Sequence, residues 1–178
     1  MEHLLGLLFT GDITPWYQEL TQTLYERFGG KPLHAHIPPH ITVIPPFDEV
    51  YLPAVRACVS RWKQEGNEGP WTVSLDGFGS FQQGVVFGRI EMPPSTREAM
   101  ERLRAAVFAV PPMPEPFFPE WHPHVSLARL PSAELLPSVW EYVQTLPAPH
   151  FVMNIPGITL FRRANDGWHR LDETLAPE

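Results

Sequence analysis

Two short segments of this chain combine a histidine with a hydroxyl side chain two residues later. They read Pro-His-Ile-Thr-Val around His40 and Pro-His-Val-Ser-Leu around His124. Because side chains two apart on a β-strand share one face, His40 should lie beside Thr42, and His124 beside Ser126. One neutral and one protonated imidazole can act as general base and general acid, with the hydroxyls donating hydrogen bonds to an anion between them. The repeat predicts an active site with two-fold character.

The rest of the chain predicts the elements that would hold these residues. Apolar and alternating runs predict strands at 3–10, 40–45, 71–80, 84–92, 122–130, 150–162 and 167–172, and N-cap residues followed by helical patterns predict helices over 14–28, 48–63, 95–110 and 132–146. Loops are expected at 31–39 and in the proline-rich stretch 111–119. Strands outnumber helices and hairpins are present, which favours an α+β fold with mostly antiparallel sheets.

The composition and net charge of the chain limit the size of its core and the kinds of molecule that it is expected to bind. The chain has 178 residues, 43% of them hydrophobic and 19% charged, which is typical of a globular protein with one core or two small lobes sharing one. Its net charge of −7 and the lack of an evident basic face argue against a long nucleic-acid duplex as partner. If the partner is a nucleic acid, they favour a short RNA end or a nucleotide. No phosphate-binding glycine loop and no dinucleotide-binding motif is present, so the use of ATP or NAD as a cofactor is not supported.

The chain carries no apolar run of membrane-spanning length and no basic, apolar leader, so we expect a cytoplasmic protein. A single cysteine, Cys58, excludes an internal disulfide and is expected to be structural. No coiled-coil pattern is seen, which favours a monomer.

The motifs resemble those of the 2H phosphoesterase superfamily, and specifically its LigT-like branch of 2'-5' RNA ligases and RNA 2',3'-cyclic phosphodiesterases. The segment from Trp121 to Arg129, WHPHVSLAR, is similar to the second motif of that branch, including its trailing arginine. The first motif differs, because Ile-Pro-Pro-Phe follows it at 44–47, where such enzymes often have a basic residue and a Leu-Gly turn. The resemblance extends over nearly the whole chain.

This resemblance implies one bilobal domain over residues 1–178, made of two pseudo-symmetric lobes with helices outside and the active-site cleft between them. It implies metal-independent hydrolysis of a ribose 2',3'-cyclic phosphate to a 2'-phosphate, with His124 as base and His40 as acid. With an RNA 5'-hydroxyl as nucleophile instead of water, it implies ATP-independent 2'-5' ligation at the same site. Thr42, Ser126 and Arg129 would then bind the phosphate.

The position of Arg129 is a separate question, because it lies five residues after His124. Simple alternation places it on the opposite face of the strand, and only a bulge or the strand end would bring it round. Otherwise it is an ordinary surface arginine.

Three further residues are candidates for base stacking or for the cleft wall, namely Trp121, His122 and His36. The spacings His34-x-His36 and His122-x-His124 also suit metal ligands on an extended strand, but no cysteine or carboxylate follows at ligand spacing. Polar histidines at the cleft mouth are the alternative.

Other functions stay open at this point. They are a phosphodiesterase acting on 2'-5' oligoadenylate or on a cyclic phosphate of ADP-ribose, a non-catalytic protein that binds RNA or nucleotides, and a histidine-ligated metalloenzyme.

Overall fold

The computed structural model of the protein describes residues 1–110, 113 and 120–171. The predicted loop at 111–119 lies outside this part of the chain, apart from Met113. The strands are β1 (Glu2–Leu8), β2 (His40–Asp48), β3 (Trp71–Phe81), β4 (Val85–Glu91), β5 (His124–Arg129), β6 (His150–Ile155), β7 (Thr159–Ala164) and β8 (Gly167–Arg170). The helices are α1 (Ile13–Phe28), α2 (Leu33–His36), α3 (Leu52–Gln64), α4 (Pro94–Phe108) and α5 (Leu136–Gln144), with 3₁₀ turns at Glu49–Tyr51 and Ala133–Leu135.

Two four-stranded antiparallel sheets organise the described chain. The first has the order β2-β1-β7-β8 and the second the order β5-β4-β3-β6. The order strand, helix, motif strand, helix occurs twice, as β1-α1-β2-α3 and as β4-α4-β5-α5. Each histidine motif therefore lies on an edge strand of its own sheet, and the predicted α+β fold with two pseudo-symmetric lobes is confirmed.

The predicted strand at 150–162 is wrong, because it is two strands in different sheets. β6 pairs with β3, whereas β7 pairs with β1 and forms the final hairpin with β8. The break falls at Pro156-Gly157, where proline supplies no backbone N–H and glycine allows a sharp change of direction. Because of this change of sheet, β7 and β8 complete the first sheet.

The local signals at three helix starts are only partly confirmed. Helix α1 begins at Ile13 with Asp12 at the N-cap, so the predicted cap Thr14 lies inside it. Asp48 ends β2 and precedes a 3₁₀ turn. Ser132 does cap, since its side chain accepts a hydrogen bond from the Glu134 N–H at 3.2 Å, but the element that follows is also a 3₁₀ turn. The predicted loop 31–39 contains the one-turn helix α2.

Each motif strand is held along its outer edge by residues from the other half of the chain. Arg104 of α4 is buried and donates to the Val43 carbonyl of β2, and the Trp121 indole N–H donates to the Thr42 carbonyl at 2.9 Å. On the other side, the Lys31 N–H donates to the Arg129 carbonyl of β5 at 3.0 Å. These cross-links fix the two edge strands beside one another, and one hydrophobic cluster contains residues of both sheets.

Replacing Trp121 by phenylalanine should lower the free energy of unfolding by about 1–3 kcal/mol, because the Thr42 carbonyl loses its donor in a partly buried setting. Urea denaturation of the two proteins measures the difference. Trp16→Phe is the matched control, since Trp16 is half-buried against Phe151. Equal effects of the two substitutions would mean that ring size, and not this hydrogen bond, matters.

None of the helices in the described ranges combines the length and the apolar character that a bilayer crossing requires.

Candidate active site

His40 stands at the start of β2 with both ring nitrogens bonded. Its Nδ1 lies 2.9 Å from the Pro38 carbonyl, and because a carbonyl only accepts, Nδ1 carries the proton. In the neutral ring, Nε2 therefore accepts from the Thr42 hydroxyl at 3.1 Å. His40 and Thr42 thus share one face, as the period of two predicts. Nε2 carries no proton and is therefore the nitrogen that can accept one.

His124 on β5 repeats the Nδ1 half of this arrangement. Its Nδ1 donates to the carbonyl of His122, again two residues upstream, at 2.7 Å. In both motifs a proline, Pro39 or Pro123, separates the carbonyl from the histidine and restricts the backbone there. The sequence reasoning missed these two carbonyls, although the proline before each histidine was their signal.

A β-bulge follows the hydroxyl residue in both motif strands. On β5, Phe87 pairs with Ser126 but Val86 pairs with Ala128, so Leu127 is an extra residue. The alternation is shifted by one position, and Arg129, which is exposed, returns to the face of Ser126. The bulge is thus one of the two routes by which Arg129 could reach the face of His124 and Ser126, and from that face it can contact a phosphate.

The bulge on β2 has the same position within its motif. Gly6 pairs with Thr42 and Leu5 with Ile44, which makes Val43 the extra residue. The residue that corresponds to Arg129 is Pro45, so only the second motif brings a cation to the site. The site is symmetric in its histidines and asymmetric in its charge.

Both catalytic candidates are neutral in the unliganded protein at pH 7. The pKa of His40 is lowered to about 4, chiefly by burial and also by the charges of Arg129 and His124, while the bond to the Pro38 carbonyl opposes this shift. Burial also lowers the pKa of His124 to about 4, with the His122 carbonyl opposing and Arg129 and His122 adding to the effect. The charge of Arg129 thus affects both rings, and the charge of His124 affects His40.

Aromatic side chains form the walls behind the imidazoles. The fully buried Phe161 ring lies 5.5 Å from the His40 ring. Phe81 and Phe87 lie 5.0 and 5.2 Å from His124. Gly6 leaves room for the first pair, since a Cβ there would lie 3.3 Å from both the His40 and the Phe161 rings. None of these four residues was predicted from the sequence.

The three residues predicted to stack a base or line the cleft have different surroundings. Trp121 is only 7% exposed and its indole N–H donates to the Thr42 carbonyl of β2, so little of its ring surface is open to a base. His122 is exposed beside His124, with ring centroids 6.4 Å apart. His36 is exposed, donates from Nδ1 to the Asp166 carbonyl at 3.1 Å, and lines a cavity of about 280 Å³ next to Pro38 and Pro39.

The metal-ligand spacing of His34 and His36 is not supported by the local backbone. His34 and His36 belong to helix α2, where residues two apart do not share a face. Within the described part of the chain, no three histidine, cysteine or acidic side chains come together as a metal-binding group.

Comparisons with known proteins bear on the fold and the family of the chain. The chain resembles the structure of Escherichia coli LigT complexed with 3'-AMP, with a TM-score of 0.62 and 18% identity over 96% of this chain and 95% of that one. The protein TT0787 of Thermus thermophilus gives a TM-score of 0.62 and 20% identity, over 97% and 96% of the two chains. At these identities the likeness shows the fold. No curated protein sequence matches the chain significantly.

The family model described as the 2'-5' RNA ligase superfamily matches residues 12–167. This match covers both motifs and confirms the LigT-like resemblance predicted from them. The chain belongs to the 2'-5' RNA ligase superfamily.

Proposed function

We propose that this protein hydrolyses ribose 2',3'-cyclic phosphates, on an RNA 3' end or on a nucleotide, to 2'-phosphates without a metal ion. The observation that supports this most is the matched pair His40 and His124, each with Nδ1 bonded to a backbone carbonyl. Both rings are thereby held in the tautomer that leaves Nε2 for proton transfer. We also propose that residues 1–178 act as a single bilobal domain and as a monomer.

In the proposed reaction, His124 Nε2 takes a proton from water as the water oxygen attacks phosphorus. The bond from phosphorus to the ribose 3' oxygen breaks, and His40 Nε2–H protonates that oxygen. Thr42, Ser126 and Arg129 bind the nonbridging oxygens and stabilise the charge that develops there. To bind a phosphate oxygen, the Thr42 hydroxyl would give up its hydrogen bond to His40 Nε2.

The low pKa values leave both rings neutral at pH 7, whereas the scheme requires His40 to be protonated. The negative charge of the bound substrate can favour that protonation. An anionic phosphodiester between the rings favours an imidazolium, so it raises the histidine pKa values and draws one proton into the site. Binding of an inert phosphate ligand should therefore be accompanied by proton uptake.

Ligation is the second candidate, supported by the family to which the chain belongs. With an RNA 5'-hydroxyl in place of water, and a 2',3'-cyclic phosphate as partner, the same two proton transfers would form a 2'-5' linkage without ATP. LigT itself was crystallised with 3'-AMP and with ATP, so that protein binds nucleotides.

The test uses EDTA-treated protein and an RNA oligomer that ends in a 2',3'-cyclic phosphate. We expect conversion to the 2'-phosphate, identified against authentic 2'- and 3'-phosphate products. A 3'-phosphate would contradict the proposed leaving group. No conversion would contradict the proposal and turn attention to 2'-5' oligoadenylate, to a cyclic phosphate of ADP-ribose, or to a binding role.

A further inference from the structure

Arg89 is the cation that β4 places beside the second motif. It pairs directly with His124 in the antiparallel register of β4 and β5. Directly paired residues of antiparallel strands lie on the same face, with Cβ atoms about 5 Å apart. Arg89 therefore shares the face of His124 and Ser126, and it is exposed there.

The Arg89 side chain extends away from His124, across β3. Its Nε donates to the Asp76 carbonyl at 3.0 Å. Its terminal Nη2 lies where a Cβ on Gly77 would be only 2.5 Å away, and Gly77 is in the left-handed region with a φ of 74°. β3 is also bulged between Leu75 and Phe78. The strand thus provides a glycine bulge over which the guanidinium lies.

The charge of this guanidinium is not neutralised within the described part of the chain, where no carboxylate forms an ion pair with Arg89. The Asp76 carboxylate lies 3.5 Å from His150 instead. The single bond at Nε anchors the side chain and leaves the two terminal nitrogens available. A fork of this kind matches the oxygens of a phosphate.

Arg89 and Arg129 differ in their distance from the proton-transfer groups. The charge of Arg129 affects both His40 and His124, whereas Arg89 is not among the charges that affect either ring. Arg129 therefore suits the reacting phosphate, and Arg89 suits a second phosphate one position further along a bound chain.

We propose that Arg89 binds the 5'-phosphate of the nucleotide whose ribose carries the cyclic phosphate. In an RNA end, that group is the phosphodiester to the preceding nucleotide. Arg89 would make the site prefer RNA ends and 5'-phosphorylated nucleotides over nucleoside 2',3'-cyclic phosphates. This inference rests on the proposed function and specifies its substrate class.

The test compares kcat/KM for adenosine 2',3'-cyclic phosphate with kcat/KM for the same compound bearing a 5'-phosphate. We expect the wild type to favour the 5'-phosphorylated substrate by about 10-fold or more, since bonds to charged groups have effects of this size. Arg89→Ala should bring the ratio close to one while retaining the rate on the nucleoside substrate. Arg89→Lys, which keeps the charge without the fork, should retain part of the preference. Arg102→Ala, an exposed arginine on α4, is the matched control.

An unchanged ratio in Arg89→Ala, an equal loss on both substrates, or no preference in the wild type would each overturn the inference. Calorimetric binding of adenosine 2'-phosphate and adenosine 2',5'-bisphosphate separates this result from a failure of the proposed function. If neither cyclic phosphate is hydrolysed, the catalytic proposal fails, while a tighter Kd for the bisphosphate that Arg89→Ala abolishes still supports Arg89. Equal Kd values for the two ligands, or no binding of either, overturn it.

Discussion

Alanine at His40 or at His124 is expected to lower kcat/KM for a cyclic phosphate substrate by about 10²–10⁴-fold in each case, the usual contribution of a positioned acid or base. Each ring has Nδ1 bonded to a carbonyl and Nε2 available, so neither can replace the other in its own position. Steady-state kinetics on an RNA oligomer with a 2',3'-cyclic phosphate end measures the two losses.

The double variant sharpens this prediction. Groups that act in one concerted step lose activity less than additively, so His40→Ala with His124→Ala should be little slower than the worse single variant. His150→Ala is the matched control, because His150 is exposed on β6, outside both motifs. Near wild-type turnover by either single variant would refute the two-histidine mechanism.

The faces of the motif residues were predictable because they depend only on local alternation. A period of two places His40 with Thr42 and His124 with Ser126, and the structure shows this spacing with aliphatic residues buried between them. The helices and most strands were predictable for the same reason, since their signals lie within a few residues. The two carbonyls that accept a hydrogen bond from Nδ1 could have been predicted in the same way, because only one proline separates each of them from its histidine.

The position of Arg129 was not predictable from alternation alone. It depends on Leu127, whose extra place in β5 is defined by the pairing with β4, a strand that ends more than thirty residues earlier. A signal does exist in retrospect. Two successive aliphatic residues follow the hydroxyl in each motif, Val43-Ile44 and Leu127-Ala128, and both members of each pair are buried. A strand that buries two neighbours in a row has lost its period of two.

Long-range pairing explains the other omissions. Arg89 shares a face with His124 only through the register of β4 with β5, and helix α4 separates them along the chain. The split between β6 and β7 has the same origin, because the partner strands β3 and β1 lie in different sheets. Local propensity contains no information on which strand a segment will join.

Methionine in place of Arg129 is expected to lower kcat/KM by about 10²-fold, the usual effect of removing one donor to a developing anion. It should also shift the pH profile. The Arg129 charge disfavours the imidazolium at both His40 and His124, so its removal raises the pKa values of both rings. The base then loses its proton at higher pH and the acid keeps its proton to higher pH. Both limbs of the profile of kcat/KM should therefore move upward.

This shift distinguishes an electrostatic role of Arg129 from a merely structural one. A substitution that only loosened the end of β5 would lower the rate and leave both limbs in place. Titration of the histidine ring protons by NMR in the unliganded protein provides the same comparison without turnover, and Arg102→Met, remote on α4, should change neither pKa. Unmoved histidine pKa values in Arg129→Met would place its charge too far from the rings to bind the reacting phosphate. The cation that the bulge brings to the second motif would then have no part in the chemistry.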